Sequence, residues 1–157
     1  MAKSRKSWRE KLADDKDLPK VVEITDKMSK RWGTGTVVIP APREVDEIMS
    51  RVPAGKLITV NQIRSLLARR HGATIGCPIT TGIFAGISAH AAEEDAAKGK
   101  KDITPYWRTL KVGGTLNPKY PGGVEAQAAR LRAEGHTIDR HRKTPRVHDF
   151  EKALVEV

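Results

Sequence analysis

Pro105-Tyr106-Trp107-Arg108, followed by Gly113-Gly114 and then Tyr120-Pro121-Gly122-Gly123, is the stretch whose reading decides the fold. Leu110 to Leu116, broken at Gly113-Gly114, reads as a β-hairpin. Residues 123–134 read as an amphipathic helix with Val124, Ala128 and Leu131 inward. Upstream, Thr59 or Asn61 caps a helix through Arg70, with Ile63, Leu66 and Leu67 buried, Arg64, Arg69 and Arg70 outside, and His71-Gly72 as its end. A further helix runs from about Ile79 to Lys98. Two helices joined by a short glycine-containing connection form a helix-turn-helix candidate. Followed by a hairpin and a helix, this order predicts a mainly α fold with a small β-hairpin, a winged helix-turn-helix.

The flanks divide around this unit. Residues 1–17 are polar and rich in Lys and Arg and predict a basic flexible arm. Residues 18–51 predict N-terminal helices that pack on the core. One opens at Pro19 with Val21, Ile24, Met28 and Trp32 on one face and ends at Gly33. The other runs from about Arg43 to Val52 with Val45, Ile48 and Met49 inward and Glu44, Asp46 and Glu47 at the positive end of its dipole. Thr36 to Ile39 between them is β-prone. Residues 52–135 are the winged-helix domain. Residues 136–157 are a C-terminal extension with a hairpin about Lys143-Thr144-Pro145 and a last short helix.

At 157 residues the chain suits one domain, and a formal net charge of +10 favours a polyanionic partner, nucleic acid first. The single cysteine, Cys77, forms no internal disulfide, and a reducing cytoplasm fits best. No apolar run approaches the ~20 residues a membrane span needs. The charged start lacks a following apolar region, so no secretory signal is expected. His136, His141 and His148 lack zinc-site spacing, and no metal or other cofactor is expected. A monomer is expected.

The Ile79–Lys98 helix has two unlike faces. Ile79, Ile83 and Ile87, with Phe84 beside them, read as core. Thr81, Ala85, Ser88 and Ala92 form a stripe of small residues, which fits tight packing against another helix or close insertion into a nucleic-acid groove.

Over residues 52–135 the chain resembles the C-terminal domain of the alkylguanine-DNA alkyltransferases. The resemblance rests on Val52-Pro53-x-Gly55 with Thr59, on Pro105 and Arg108, on Tyr120 with Gly122-Gly123, and on Glu134-Gly135. It implies a base pocket lined by Pro105, Tyr106, Trp107, Arg108, Tyr120, Gly122 and Gly123. It also implies a DNA surface of Thr59, Arg64, Arg69, Arg70, Thr80, Thr81, Ala85, Ser88, Lys111 and Lys119. The departures fall on the chemistry. The family's Pro-Cys-His-Arg is replaced so that Tyr106 stands at the alkyl acceptor and Trp107 at the activating histidine. A phenol of pKa about 10 is little ionised at neutral pH, and an indole nitrogen only donates. Glu134 has no histidine to orient and is left to pair Arg108 or to accept from Trp107. Tyr106 makes the chain similar to the alkyltransferase-like proteins, in which the cysteine is replaced while alkylated guanine is still held and repair factors are recruited.

Two DNA-handling positions also depart from what the resemblance implies, Val60 in place of a tyrosine and Thr81 in place of an arginine plug; the family's hinge asparagine is also not evident between Ala92 and Asp102. The aromatic pair stacks on a base or fills and closes the pocket. The resemblance therefore implies a non-catalytic protein on double-stranded DNA, recognising alkylated or damaged bases in repair with a repair-protein partner, cytoplasmic and nucleoid-associated when bound. Two other readings stay open: an enzyme accepting alkyl on Cys77 or Tyr106, and a protein-interaction module that has lost DNA.

Overall fold

Thr59 opens the helix-turn-helix as its sequence dictates. In the computed structural model, which describes residues 6–141 and 143–157, its hydroxyl accepts from the Gln62 N–H at 3.2 Å and the Gln62 side chain accepts from the Thr59 N–H at 3.0 Å. This reciprocal cap starts α4, Val60–His71, which buries Ile63 and Leu67 and stops at Gly72. A short strand, β4 (Ile75–Gly76), leads into α5, Pro78–Ala97. Gly76 is obligatory there, because a Cβ on it would lie 2.6 Å from the Arg64 carbonyl oxygen. The turn between the two helices therefore closes only around a residue without a side chain.

Among the described residues, three short sheets accompany the pair. β2 (Thr36–Ile39) is central in the first, antiparallel to β1 (Lys20–Glu23) and parallel to β4. The segment after Pro19 is thus a strand, where a helix was expected. The β-branched pair Val21-Val22 sits opposite Val38 and Val37 and gains a ladder partner. The helix that does form, α2 (Asp26–Trp32), is shorter and buries none of its residues. α3 (Pro42–Ser50) buries Val45, Ile48 and Met49 as its spacing predicts.

The 105–123 stretch departs from a wing hairpin. Tyr106–Arg108 is a single 3-10 turn, and β5 (Thr109–Leu110) pairs in parallel with β3 (Ile58–Thr59), away from any local partner. Val112–Gly114 is a second 3-10 turn, spanned by the Lys111 N–H donating to the Thr115 carbonyl at 3.0 Å. Gly114, at φ +82°, lies against the Phe150 ring, where a Cβ would come within 2.4 Å. α6, Gly123–Ala133, follows and buries Ala128 and Leu131, with Val124 half-buried. β6 (Ile138–Asp139) and β7 (Arg146–Val147) form the expected tail hairpin, and a 3-10 turn covers Phe150–Ala153.

The expected basic arm is in part a docked helix. Lys3 and Arg5 lie outside the described residues, but α1, Trp8–Ala13, packs on α5 with Leu12 only 2% exposed. Ser7 and Glu10 form a capping box at its start. The N–H groups of Trp8 and Arg9 donate to the Glu94 carboxylate at 2.8 and 3.0 Å. Glu94 thereby satisfies donors that a helix start otherwise leaves unpaired, and the Arg9 guanidinium pairs with Asp95.

The largest correction concerns α5. The stripe of small residues faces the core: Thr81, Ala85, Ser88 and Ala92 are all buried. The isoleucine side is outside, with Ile79 58% and Ile83 54% exposed. The deciding contact is long-range. The Ser88 hydroxyl and that of Thr104 both donate to Asp46 Oδ1 on α3, which fixes the rotation of α5 and lets it approach α3 closely over alanines.

This orientation has an energetic signature. Ala89→Leu, at a position with no exposure, should destabilise by about 1–3 kcal/mol through overpacking. Ile83→Ala should stay within about 0.5 kcal/mol. Urea midpoints compare the two, and the reverse ranking would mean that the faces of α5 are exchanged.

Candidate functional site

One carboxylate gathers the polar side chains of the 107–108 pair. Glu134, the residue that ends α6, accepts from Trp107 Nε1 at 2.9 Å, from Arg108 Nε at 2.9 Å and Nη2 at 2.7 Å, and from the Gly55 N–H at 3.3 Å. Arg108 also donates through Nη1 to the Val52 carbonyl at 2.7 Å. Both roles anticipated for Glu134 are filled at once. Burial alone would raise its pKa, but the hydrogen bonds from Arg108, Trp107 and Gly55 outweigh it and hold the carboxyl below its usual range.

Tyr106 belongs to a second network. Its hydroxyl donates to Glu93 Oε1 on α5 at 2.6 Å, and Arg130 Nη2 on α6 donates to the same oxygen at 2.9 Å. The Arg130 guanidinium lies 4.3 Å from the Trp107 ring centre. Burial, and then the Glu93 carboxylate it donates to, push the Tyr106 phenol above its ordinary pKa. The Tyr106 ring meets Trp107 and Tyr120 edge-to-face at 5.3 and 5.4 Å. Tyr106 is 2% exposed, Trp107 9% and Tyr120 3%. The three rings fill the place where a base pocket is expected. Of the expected lining, Pro105, Trp107 and Arg108 border a polar cleft of about 730 Å³ with Lys100 and Lys101.

Gln127 went unnoticed in the sequence and holds this region together. Fully buried, it accepts from the Asn117 N–H at 2.7 Å and donates to the Trp107 carbonyl at 3.1 Å. Only its place on the inward face of α6, beside Ala128, hints at this.

The expected DNA residues separate into three groups. Thr59, Thr81, Ala85 and Ser88 are buried, and Thr80 is half-buried. Their side chains serve a cap or the core. Arg64 and Arg70 are engaged: Arg64 Nε donates to the Gly76 carbonyl at 2.8 Å, and Arg70 pairs with Glu44 at 3.3 Å. Arg69, Lys111 and Lys119 are exposed. Lys111 and Lys119 border a cleft of about 730 Å³ whose floor is the outer face of α5, Ile79, Gly82, Ile83 and Gly86. A Cβ at Gly82 or Gly86 would meet nothing within 4 Å. So α5 does carry a slim face toward solvent, but glycines make it, one step around the helix from the residues expected. Cys77, the residue before α5, is buried with only 5% exposure.

The Glu134 network sets a pH dependence. With its folded pKa depressed, Glu134 stabilises the fold above the unfolded carboxylate value of about 4.3, and this contribution is lost as pH falls through the lower folded value. Glu134→Ala strands Arg108 and the Trp107 N–H and should cost about 3 kcal/mol at neutral pH. The gap between wild type and variant, followed by urea unfolding, should narrow below about pH 4. A gap independent of pH would remove the carboxylate as its source.

No family model matches the chain, and no curated protein matches it. Two solved structures do. One is S. pombe Atl1 in complex with damaged DNA containing O6-carboxymethylguanine, and the other is S. pombe ATL in complex with DNA. Each is 20% identical, covers 74% of this chain and 94% of its own, and superposes with a TM-score of 0.53. This protein therefore shares its fold, mainly helical with small sheets around a helix-turn-helix, with these two S. pombe structures.

Proposed function

We propose that this protein binds duplex DNA through the outer face of α5 and transfers no alkyl group. The single observation behind this reading is the slim, solvent-facing stripe of α5 bordered by Lys111 and Lys119. The net charge of +10 supports it, as does a fold shared with proteins solved on DNA. An exposed stripe where glycine alternates with isoleucine brings backbone close to a groove, and the lysines meet phosphates on its rim.

Transfer requires a thiolate beside the alkyl carbon. The acceptor position holds a buried phenol already donating to Glu93, and the neighbouring indole is a donor committed to Glu134. We infer that the ring cluster is structural and that binding proceeds without inserting a base into it.

Gly86→Leu separates binding from folding. The added Cβ meets open space, and loss of a mid-helix glycine should raise stability by up to about 1 kcal/mol. DNA affinity should nevertheless fall, because the helix is held off the groove. Fluorescence anisotropy with a short duplex at several salt concentrations reads this, and the wild-type logarithmic slope should be clearly negative. An unchanged affinity in Gly86→Leu would reject this face. No DNA binding in dilute salt would turn the exposed isoleucines into a protein-docking surface.

A duplex carrying one O6-methylguanine should bind within about threefold of its undamaged counterpart, since a flipped base would have to part the packed rings of Tyr106, Trp107 and Tyr120. The intact mass should not change after incubation with it. A preference above about tenfold that disappears in Tyr106→Ala would show that the rings open and read the base.

A further inference from the structure

The cleft over α5 has two banks, and only one belongs to the helix-turn-helix unit. Lys111, Asn117 and Lys119 form that bank, while Trp8 and Lys11 of α1 form the opposite one. The banks are joined across the helix. The Trp8 indole stacks on the His90 ring, with centroids 4.4 Å apart and planes 20° from parallel. His90 Nε2 donates to the Lys119 carbonyl at 3.0 Å. Lys11 Nζ lies 4.2 Å from the Trp8 ring centre, with its ammonium exposed. Three lysines therefore rim the cleft, and among the described residues no carboxylate lines it.

We propose that α1 is part of the DNA surface: Trp8 and Lys11 hold the phosphate backbone on one side of the groove that α5 enters, and Lys111 and Lys119 hold it on the other. This inference rests on the reading of α5 given above. It assigns a binding role to a segment outside the 52–135 unit. An ammonium held over an indole is fixed in place, which lowers the entropy lost when it meets a phosphate. The anchoring of α1 by Leu12, by Glu94 and by the Arg9–Asp95 pair keeps that bank rigid.

The test compares Lys11→Gln, Lys111→Gln and Lys27→Gln in the full chain, with Lys27 on α2 as an exposed control. Each lysine that contacts a phosphate contributes about 0.9 to the slope of log affinity against log salt. Lys11→Gln and Lys111→Gln should each flatten the slope by about one and weaken binding at low salt, with Lys27→Gln unchanged. If Lys111→Gln flattens the slope and Lys11→Gln matches the control, α1 is not a bank of the cleft and the α5 reading survives. If neither differs from the control, both fail. Tighter binding by Lys11→Gln would also overturn the inference, since it would mean that α1 obstructs the cleft.

Discussion

Glu134 is the constraint on which the middle of this protein depends. A single carboxylate at the end of α6 takes hydrogen bonds from the 55 turn, from Trp107 and from Arg108, and Arg108 carries the connection on to Val52. Three chain segments distant in sequence thereby share one anion. In partly dry surroundings such an arrangement is stiff, because removing either partner leaves a charge or donor without compensation. The consequence for chemistry is direct. Every polar atom on the 106–108 side chains is a donor committed to a carboxylate or a carbonyl. None is left as a base.

The same logic extends to α5 through Glu93, which collects Tyr106 and Arg130. Tyr106 is consequently tied to α5 as well as to its own turn. On the opposite flank, Asp46 takes the hydroxyls of Ser88 and Thr104. These two carboxylates, Glu93 beside the rings and Asp46 on α3, set the rotation of the 20-residue helix. Once it is set, Ala85, Ala89, Ala91 and Ala92 lie inward and Ile79, Gly82, Ile83 and Gly86 outward. The outer face of α5 is thus a product of buried hydrogen bonding, with local hydrophobicity overruled.

That ordering explains what could be read in advance. Helices α3 and α4 are legible because their caps and apolar spacing are local: Thr59 with Gln62, Val45 with Ile48 and Met49. The role of Glu134 was legible by valence, since a carboxylate without a histidine still needs donors and Trp107 and Arg108 supply them. The faces of α5 were not legible. Both of its stripes have helical spacing, and the choice lies with Asp46, 42 residues from Ser88. The docking of α1 was half legible. Ser7-x-x-Glu10 is a capping box in plain sight, but the Glu94 that completes the helix start is 86 residues from Trp8. The strand after Pro19 and the parallel pairing of β5 likewise depend on partners that no local window contains.

Energetics also decide between the two surfaces where DNA recognition could occur. To admit a base, the ring cluster must give up the Tyr106–Glu93 hydrogen bond, worth about 1.5–3 kcal/mol to a charged group, and two edge-to-face contacts at about 0.5–1.5 kcal/mol each. Extruding the base costs a few kcal/mol more, without an arginine at Thr81 to fill the gap. Stacking on the freed rings returns only about 1–3 kcal/mol. The outer face of α5 has no such debt. Its isoleucines are already exposed, its glycines leave room, and its lysines exchange counterions for phosphates, a gain that grows as salt falls. On this balance the proposed DNA contact falls to the helix face while the rings stay closed, with Glu93 and Asp46 holding that helix in its rotation and Glu134 holding the 105–108 turn against it.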